Sequence, residues 1–237
     1  MDAPPRLDVR MTVVPSEVRT RQFRGATFRY GVFDVESIGN SSYYTHEVAE
    51  LHIRERYWHP GPGQVVADVG GAFGSYALPA AALGARVFTF EPVPAFAECL
   101  RVNAGLNGWG EDRMRVLNYA LGNAESDYDY PPKGHPDVHR YRFHQRRLDD
   151  VVEELGLEHL EWLKSDTEGH EAEVLQGARE TLRSFRPTLL LEVHKFLDQA
   201  GESTQQQRIL DELLPMNYTW EIYIDSPVDY IFATPRR

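Results

Sequence analysis

What most constrains this chain is a steady alternation, from residue 64 onward, of short apolar runs with stretches of helical period. Residues 65–69, 87–91, 114–121, 160–165 and 189–193 read as strands. Residues 75–83, 95–106, 170–185 and 205–214 read as helices. Strands this apolar are buried on both faces, as in parallel sheets covered by helices. The pattern predicts an α/β fold with a doubly wound, mostly parallel sheet. Residues 220–224 and 230–233 look like a closing hairpin.

The start of the chain is less regular. Residues 1–20 carry little pattern and read as a loosely held arm, and residues 22–34 alternate enough for strands. Residues 44–57 look helical, with Val48, Leu51 and Ile53 on an apolar side, before His59-Pro60-Gly61-Pro62-Gly63 breaks the chain. This divides the 237 residues into an N-terminal segment, 1–60, and a main domain, 61–237. No run of about 20 apolar residues suggests a membrane span, and the first residues lack the apolar stretch of a signal peptide. Cys99 stands alone in the sequence, so no internal disulfide is expected and a cytoplasmic setting is the default. Its simplest role is a small buried residue on a helix. A net charge of −11 argues against a nucleic-acid partner, which would need basic surface. The basic stretch 139–147 reads as a solvated strand.

The first strand of the main domain ends in Asp68-Val69-Gly70-Gly71-Ala72-Phe73-Gly74-Ser75 and runs straight into a helix. Glycines there let the backbone turn tightly and approach a ligand. The second strand ends in Glu91, 21 residues after Gly70, where a carboxylate can accept hydrogen bonds from ribose hydroxyls. The dinucleotide fingerprint needs glycines at positions 1, 3 and 6, and counting from Gly70 the third and sixth are Ala72 and Ser75. Asp68, two residues ahead of Gly70, would repel a pyrophosphate and suit a cationic ligand. S-adenosylmethionine has an ammonium, a sulfonium and a ribose, and no phosphate. A turn serving only strand–helix packing is the plainer alternative, and the pairing of Asp68 with Glu91 favours the cofactor.

The fourth strand runs into Lys164-Ser165-Asp166-Thr167-Glu168-Gly169-His170-Glu171, and the fifth contains Glu192-Val193-His194. Beside the first strand at a switch point, they would deliver Asp166, Glu168, Glu192 and His194 to one mouth. Ionisable groups at the ends of buried strands are costly unless paired or used. Glu171 fits a helix-start role, whereas Asp166, Glu192 and His194 fit a reaction site. Lys164 shares a strand face with Asp166 and could neutralise it or snorkel outward.

These motifs together resemble the FkbM family of methyltransferases. The resemblance rests on residues 68–76 (DVGGAFGSY), 90–94 (FEPVP), 118–123 (NYALGN), 148–150 (LDD), 164–178 (KSDTEGHEAEVLQGA) and 189–194 (LLLEVH). It implies a Rossmann-like, class I methyltransferase sheet of seven strands with the last one antiparallel. It also implies cofactor contacts across the turn, at Asp68, Gly70, Gly71, Gly74, Ser75 and Glu91, and an adenine pocket near Asn118 and Ala120. The family usually has asparagine where this chain has Ala72.

The expected reaction is methyl transfer from S-adenosylmethionine to a hydroxyl of a small-molecule, sugar or natural-product acceptor. Alternatives are N-methylation, a non-catalytic binding module on the same fold, and a nucleic-acid enzyme. The last is disfavoured because the fourth strand lacks Asn/Asp-Pro-Pro-aromatic. His194 is the best base by its unperturbed pKa, with Asp166 or Glu192 orienting it or acting instead. A divalent metal on Asp166, Glu192 and His194 ranks below metal-free chemistry, because hard ions prefer oxygen. Residues 124–146, with Tyr128, Tyr130, His135, His139, Tyr141 and His144, read as an acceptor flap or a solvated hairpin. Tyr43, Tyr44 and His46 read equally as a lid or as a helix start. The sequence leaves homodimer formation open.

Overall fold

The computed structural model describes residues 13–35, 39–40, 50–130, 141–194, 204–225 and 228–236. The main-domain strands are β5 (Val65–Val69), β6 (Arg86–Phe90), β7 (Met114–Leu117), β11 (Trp162–Ser165), β12 (Thr188–His194), β13 (Tyr218–Asp225) and β14 (Val228–Pro235). They form one seven-stranded sheet in the order β13-β14-β12-β11-β5-β6-β7. Neighbours from β12 to β7 are parallel, and β14 runs antiparallel to both β12 and β13. The chain builds outward from β5 to β7, then crosses back to lay β11 on the other side of β5. That reversal is the switch point where ligands of open α/β sheets sit.

Alternate residues of each strand feed two cores, as the period of two requires. Val65, Ala67, Val69, Phe88, Phe90, Leu163, Leu189 and Leu191 pack on one face with α4 (Leu148–Glu154), α5 (Glu171–Gln176), α6 (Arg179–Phe185) and α7 (Thr204–Leu213). On the other face Val66, Val87, Trp162 and Leu190 meet α1 (Leu51–Tyr57), α2 (Ala77–Ala82) and α3 (Pro94–Leu106). The N-terminal hairpin, β1 (Glu17–Phe23) with β2 (Ala26–Val32), joins this second core through Phe23, Phe28, Tyr30 and Val32. The described part of residues 1–60 therefore shares its core with the main domain. Cys99 is buried on α3, and burial pushes its thiol up to about 12. Among the described residues no helix is long and apolar enough to cross a membrane.

Two elements break where a continuous one is expected. The strand over 114–121 stops at Leu117, because the Asn118 amide donates to the Glu91 and Pro92 carbonyls at 2.7 and 3.1 Å. Ala120–Leu121 then pairs with β10 (Tyr141–Arg146) instead. The helix over 170–185 divides at Gly177, whose α-carbon lies so close to the Gly122 carbonyl that a side chain would collide with it. β9 (Ser126–Tyr130) and β10 form an antiparallel hairpin over the expected flap. Tyr43, Tyr44, His46, His135 and His139 lie outside the described residues. The basic stretch is a strand over Tyr141–Arg146, and Arg146 and Arg147 pair with Glu154 and Asp149.

Candidate active site

The crevice begins at the turn after β5. Gly70 and Gly74 have φ of +79° and +97°, where a Cβ is disfavoured. A side chain on Gly70 would run into the Asp166 carbonyl, and one on Gly71 into the Thr89 hydroxyl. The amides of Gly70 and Gly71 both donate to the Phe90 carbonyl, at 2.9 and 3.1 Å. Ala72 also sits at positive φ, +44°. Its N–H donates to Glu91 Oε2 at 2.8 Å, and the Val93 N–H donates to Glu91 Oε1 at 2.8 Å. Glu91 is thus a strut between the two strand ends. Burial pushes its carboxyl up to about 7, against the opposing pull of those two amides.

Beneath the turn runs a buried polar row. Thr89, Asp68 and Lys164 are register partners on adjacent strands β6, β5 and β11, so their side chains share one sheet face. The Thr89 hydroxyl donates to Asp68 Oδ2 at 3.2 Å. Lys164 is 3% exposed; its ammonium donates to the Gly70 carbonyl at 3.0 Å and lies 3.4 Å from Asp166 and 3.6 Å from Asp68. It also sits 4.9 Å from the centre of the Tyr76 ring, a cation–π contact. Burial pulls its pKa down, but the charges of Asp166 and Asp68 outweigh that and hold it a cation. Burial pushes Asp68 up, with Lys164 opposing. The lysine does not snorkel: it fastens the glycine turn to the fourth strand.

The mouth lies beyond β11 and β12. His194 Nδ1 is 3.0 Å from Glu171 Oε1. Its Nε2 faces Glu168 at 3.2 Å and Asp166 and Glu192 at 3.9 Å each. Burial lowers the pKa of His194, but the Glu171 hydrogen bond and the surrounding carboxylates raise it to about 9. A near-neutral His194 base is therefore corrected: the carboxylates around the ring favour its protonated form at neutral pH. Burial and the charge of Asp166 push Glu192 well above the carboxylate range.

Most residues expected at the site converge here. Asp166, Glu192 and His194 meet at the mouth, and Gly70, Gly71, Gly74 and Glu91 form the turn. Asn118 and Ala120 lie just past β7, beside the Glu91 end of the crevice. Two expectations need correction. Asp68 is fully buried beneath the turn, so its charge acts through Lys164 and not by lining open space. Ser75 lines a small cavity with Arg21, Phe28 and Arg54, on the side of the N-terminal hairpin, because the chain has begun to coil into α2. Sequence reasoning missed Glu171 as a site residue. Fully buried, it accepts from the Thr167 and Gly169 amides at 3.1 and 3.0 Å as well as contacting His194.

A model of the methyltransferase FkbM domain matches residues 68–219. Over 153 residues the chain is 31% identical to the 2-O-methyltransferase NoeI of Sinorhizobium fredii, covering 53% of this chain and 61% of that protein. It is 27% identical over 228 residues to the AMB antimetabolite synthetase AmbE of Pseudomonas aeruginosa, covering 74% of this chain and 10% of that protein. The chain thus spans less than two thirds of the length of either curated relative. In fold it is similar to methyltransferase FkbM from Methylobacillus flagellatus, with a TM-score of 0.56 at 19% identity over 80% of this chain and 50% of that one. It is also similar to the 16S rRNA methyltransferase RsmC of T. thermophilus in complex with AdoMet and guanosine, with a TM-score of 0.55 at 18% identity over 100% of this chain and 53% of that one.

Proposed function

The chain belongs to the FkbM methyltransferase family, and on that premise we propose that it transfers a methyl group from S-adenosylmethionine to a hydroxyl of a small sugar or natural-product acceptor. The observation that carries the reading is the chemistry of the crevice. Its glycine turn bares the backbone, Glu91 ends the neighbouring strand, and Lys164 is already committed to Gly70, Asp68 and Asp166. A pyrophosphate would meet the carboxylates of Glu91 and Asp166 there. A phosphate-free, positively charged adenosine derivative fits this set. The name of the relative NoeI supports oxygen as the acceptor atom.

When bound, the cofactor supplies a methyl group on a sulfonium, which departs as a neutral thioether. The residues of the chain position and deprotonate the acceptor. Glu91 would receive ribose hydroxyls on lone pairs that its two amide donors leave open. The mouth formed by Asp166, Glu192 and His194 would hold the acceptor oxygen against the methyl group that the cofactor supplies. The hydroxyl proton passes to Asp166, the partly exposed carboxylate beside the buried lysine. Positioning of this kind contributes about 7–11 kcal/mol.

Calorimetry with S-adenosylmethionine tests the reading first, followed by a cofactor-consumption assay over sugar, polyketide and peptide hydroxyls. Saturable binding and turnover with one acceptor class are expected. Failure to bind the cofactor, or preference for a pyrophosphate nucleotide, would overturn it.

A further inference from the structure

Resting on that reading of the mouth, we propose that Asp166, Glu192 and His194 form a binding site for a divalent cation of the Mn²⁺ type, with Glu171 holding the imidazole in its ligating orientation. One ligand atom from each of the three lies within 4.8 Å of the others. Glu192 and His194 are two apart on β12 and so share a face, and Asp166 leaves the end of the adjacent strand β11.

The imidazole is set for this role. Glu171 Oε1 already accepts two backbone amides, so the His194 Nδ1 that faces it carries a hydrogen and donates. The Nε2 lone pair of the neutral ring then points among carboxylate oxygens. A carboxylate on the far ring nitrogen is the usual support of a metal-binding histidine. The separations of 3.9 Å from Nε2 to Asp166 Oδ1 and Glu192 Oε1 are too long for hydrogen bonds. They approach the spacing of about 3–3.7 Å between two atoms bound to one ion at bond lengths near 2.1 Å.

An independent observation points the same way. Oε2 of Glu192 is buried without a hydrogen-bond donor, in a side chain 11% exposed, and so is Oε2 of the fully buried Glu171. Buried carboxylate oxygens without partners are expensive. Here they sit where Asp166, Glu168, Glu171 and Glu192 surround His194, with Lys164 pairing Asp68 and Asp166 beside them. Mixed carboxylate and imidazole donors suit Mn²⁺ better than Mg²⁺, which demands oxygen. A cation there would lower the pKa of a bound acceptor hydroxyl.

The test uses the full chain, stripped with a chelator and titrated with MnCl₂ in the absence of cofactor and acceptor. Binding is read by calorimetry and by the loss of the free-ion electron paramagnetic resonance signal. One Mn²⁺ per chain is expected. Affinity should fall at least about 100-fold in His194→Ala and Glu192→Gln, and about 10–100-fold in Glu171→Gln. Asp211→Asn, on the surface of α7, should leave it unchanged. Circular dichroism of each variant shows whether it folds, and Glu192→Gln, nearly isosteric, stands in if His194→Ala does not. Absent Mn²⁺ binding in folded protein, or binding indifferent to Glu192→Gln, would overturn the proposal. Mn²⁺ binding without S-adenosylmethionine binding would support the metal site while removing the methyl-transfer reading.

Discussion

The two halves of the crevice rim are built on opposite principles. At the ends of β5 and β6 each carboxylate oxygen of Glu91 accepts a backbone amide, and the row Thr89, Asp68 and Lys164 ties three strands together. At the ends of β11 and β12, the ring of His194 sits 3.2–3.9 Å from the carboxylates of Glu168, Asp166 and Glu192, and oxygens of Glu171 and Glu192 lack hydrogen-bond donors. The first half is braced by its own amides and by the Lys164 ion pairs. The second keeps charge in reserve for what binds. A site needs both: a fixed platform for the group that is always the same, and an unsaturated mouth where chemistry happens.

The comparison breaks most visibly at Lys164. Lys164→Met keeps the apolar stem of the side chain but strands Asp68 and Asp166 without their cation. Removing one partner of a buried pair costs about 3–5 kcal/mol, and that loss is expected in urea unfolding. Adding Asp68→Asn to the same chain should restore much of it, since replacing both partners is often nearly neutral. In the chelator-stripped protein Glu192→Gln should cost little, because the amide keeps the shape of a carboxyl that burial and Asp166 already push toward its neutral form. Comparable losses for Lys164→Met and Glu192→Gln would erase the distinction between the two halves.

Glu91 sharpens the comparison through pH. Its carboxyl titrates near pH 7 in the folded chain, above the ordinary value of 4.5, so folding favours the neutral form. That contribution is whole below about pH 4.5 and is lost as pH rises through about 7. Relative to Glu91→Gln, which does not titrate, the wild-type chain should therefore lose stability between pH 4.5 and 8. Urea midpoints of the two proteins across that range measure it. Cofactor affinity should move the other way, rising in the wild type as the carboxyl ionises and becomes the better acceptor for ribose hydroxyls. A flat difference in both readouts would mean that Glu91 is ionised throughout.

Much of this architecture is written locally in the sequence, and what is missing depends on distance. Short apolar runs such as Leu189-Leu190-Leu191, alternating with stretches of helical period, read as buried strands, so the sheet, its switch point and the strand-end acids are legible. So is the convergence of Asp166, Glu192 and His194, because period two and strand adjacency suffice to bring them together. The fate of Lys164 is not, since a lysine at a strand end snorkels unless acids on neighbouring strands capture it. Glu171 looks like an ordinary first-turn acid; only the fold shows that His194, 23 residues on, comes to meet it. The breaks at Asn118 and Gly177 likewise come from contacts with remote backbone, at Glu91 and Gly122. The sequence-derived pKa of His194 fails for the same reason: burial lowers it, and three carboxylates of the remote segment 166–171 raise it more.

The smallest expected effect lies at Ala72, on the rigid side. Its φ of +44° is left-handed, a conformation costing a residue with a Cβ about 1–2 kcal/mol. Two neighbours enforce it: the following glycine turn and the hydrogen bond from its N–H to Glu91. Ala72→Gly removes the strain but loosens the unfolded chain, which returns about 0.5–1 kcal/mol of the gain. Asparagine, usual at this place in the family, tolerates the conformation with less entropic loss. Both substitutions should therefore raise stability, by about 1 kcal/mol or less, seen as a Tm shift of roughly 2–4 °C for a chain of this length. Neither should weaken cofactor binding, because the hydrogen bond to Glu91 comes from backbone. If Ala72→Gly lowered Tm, the strut would not be what imposes the left-handed turn, and the contrast between a pre-set platform and an unsaturated mouth would lose its footing on the platform side.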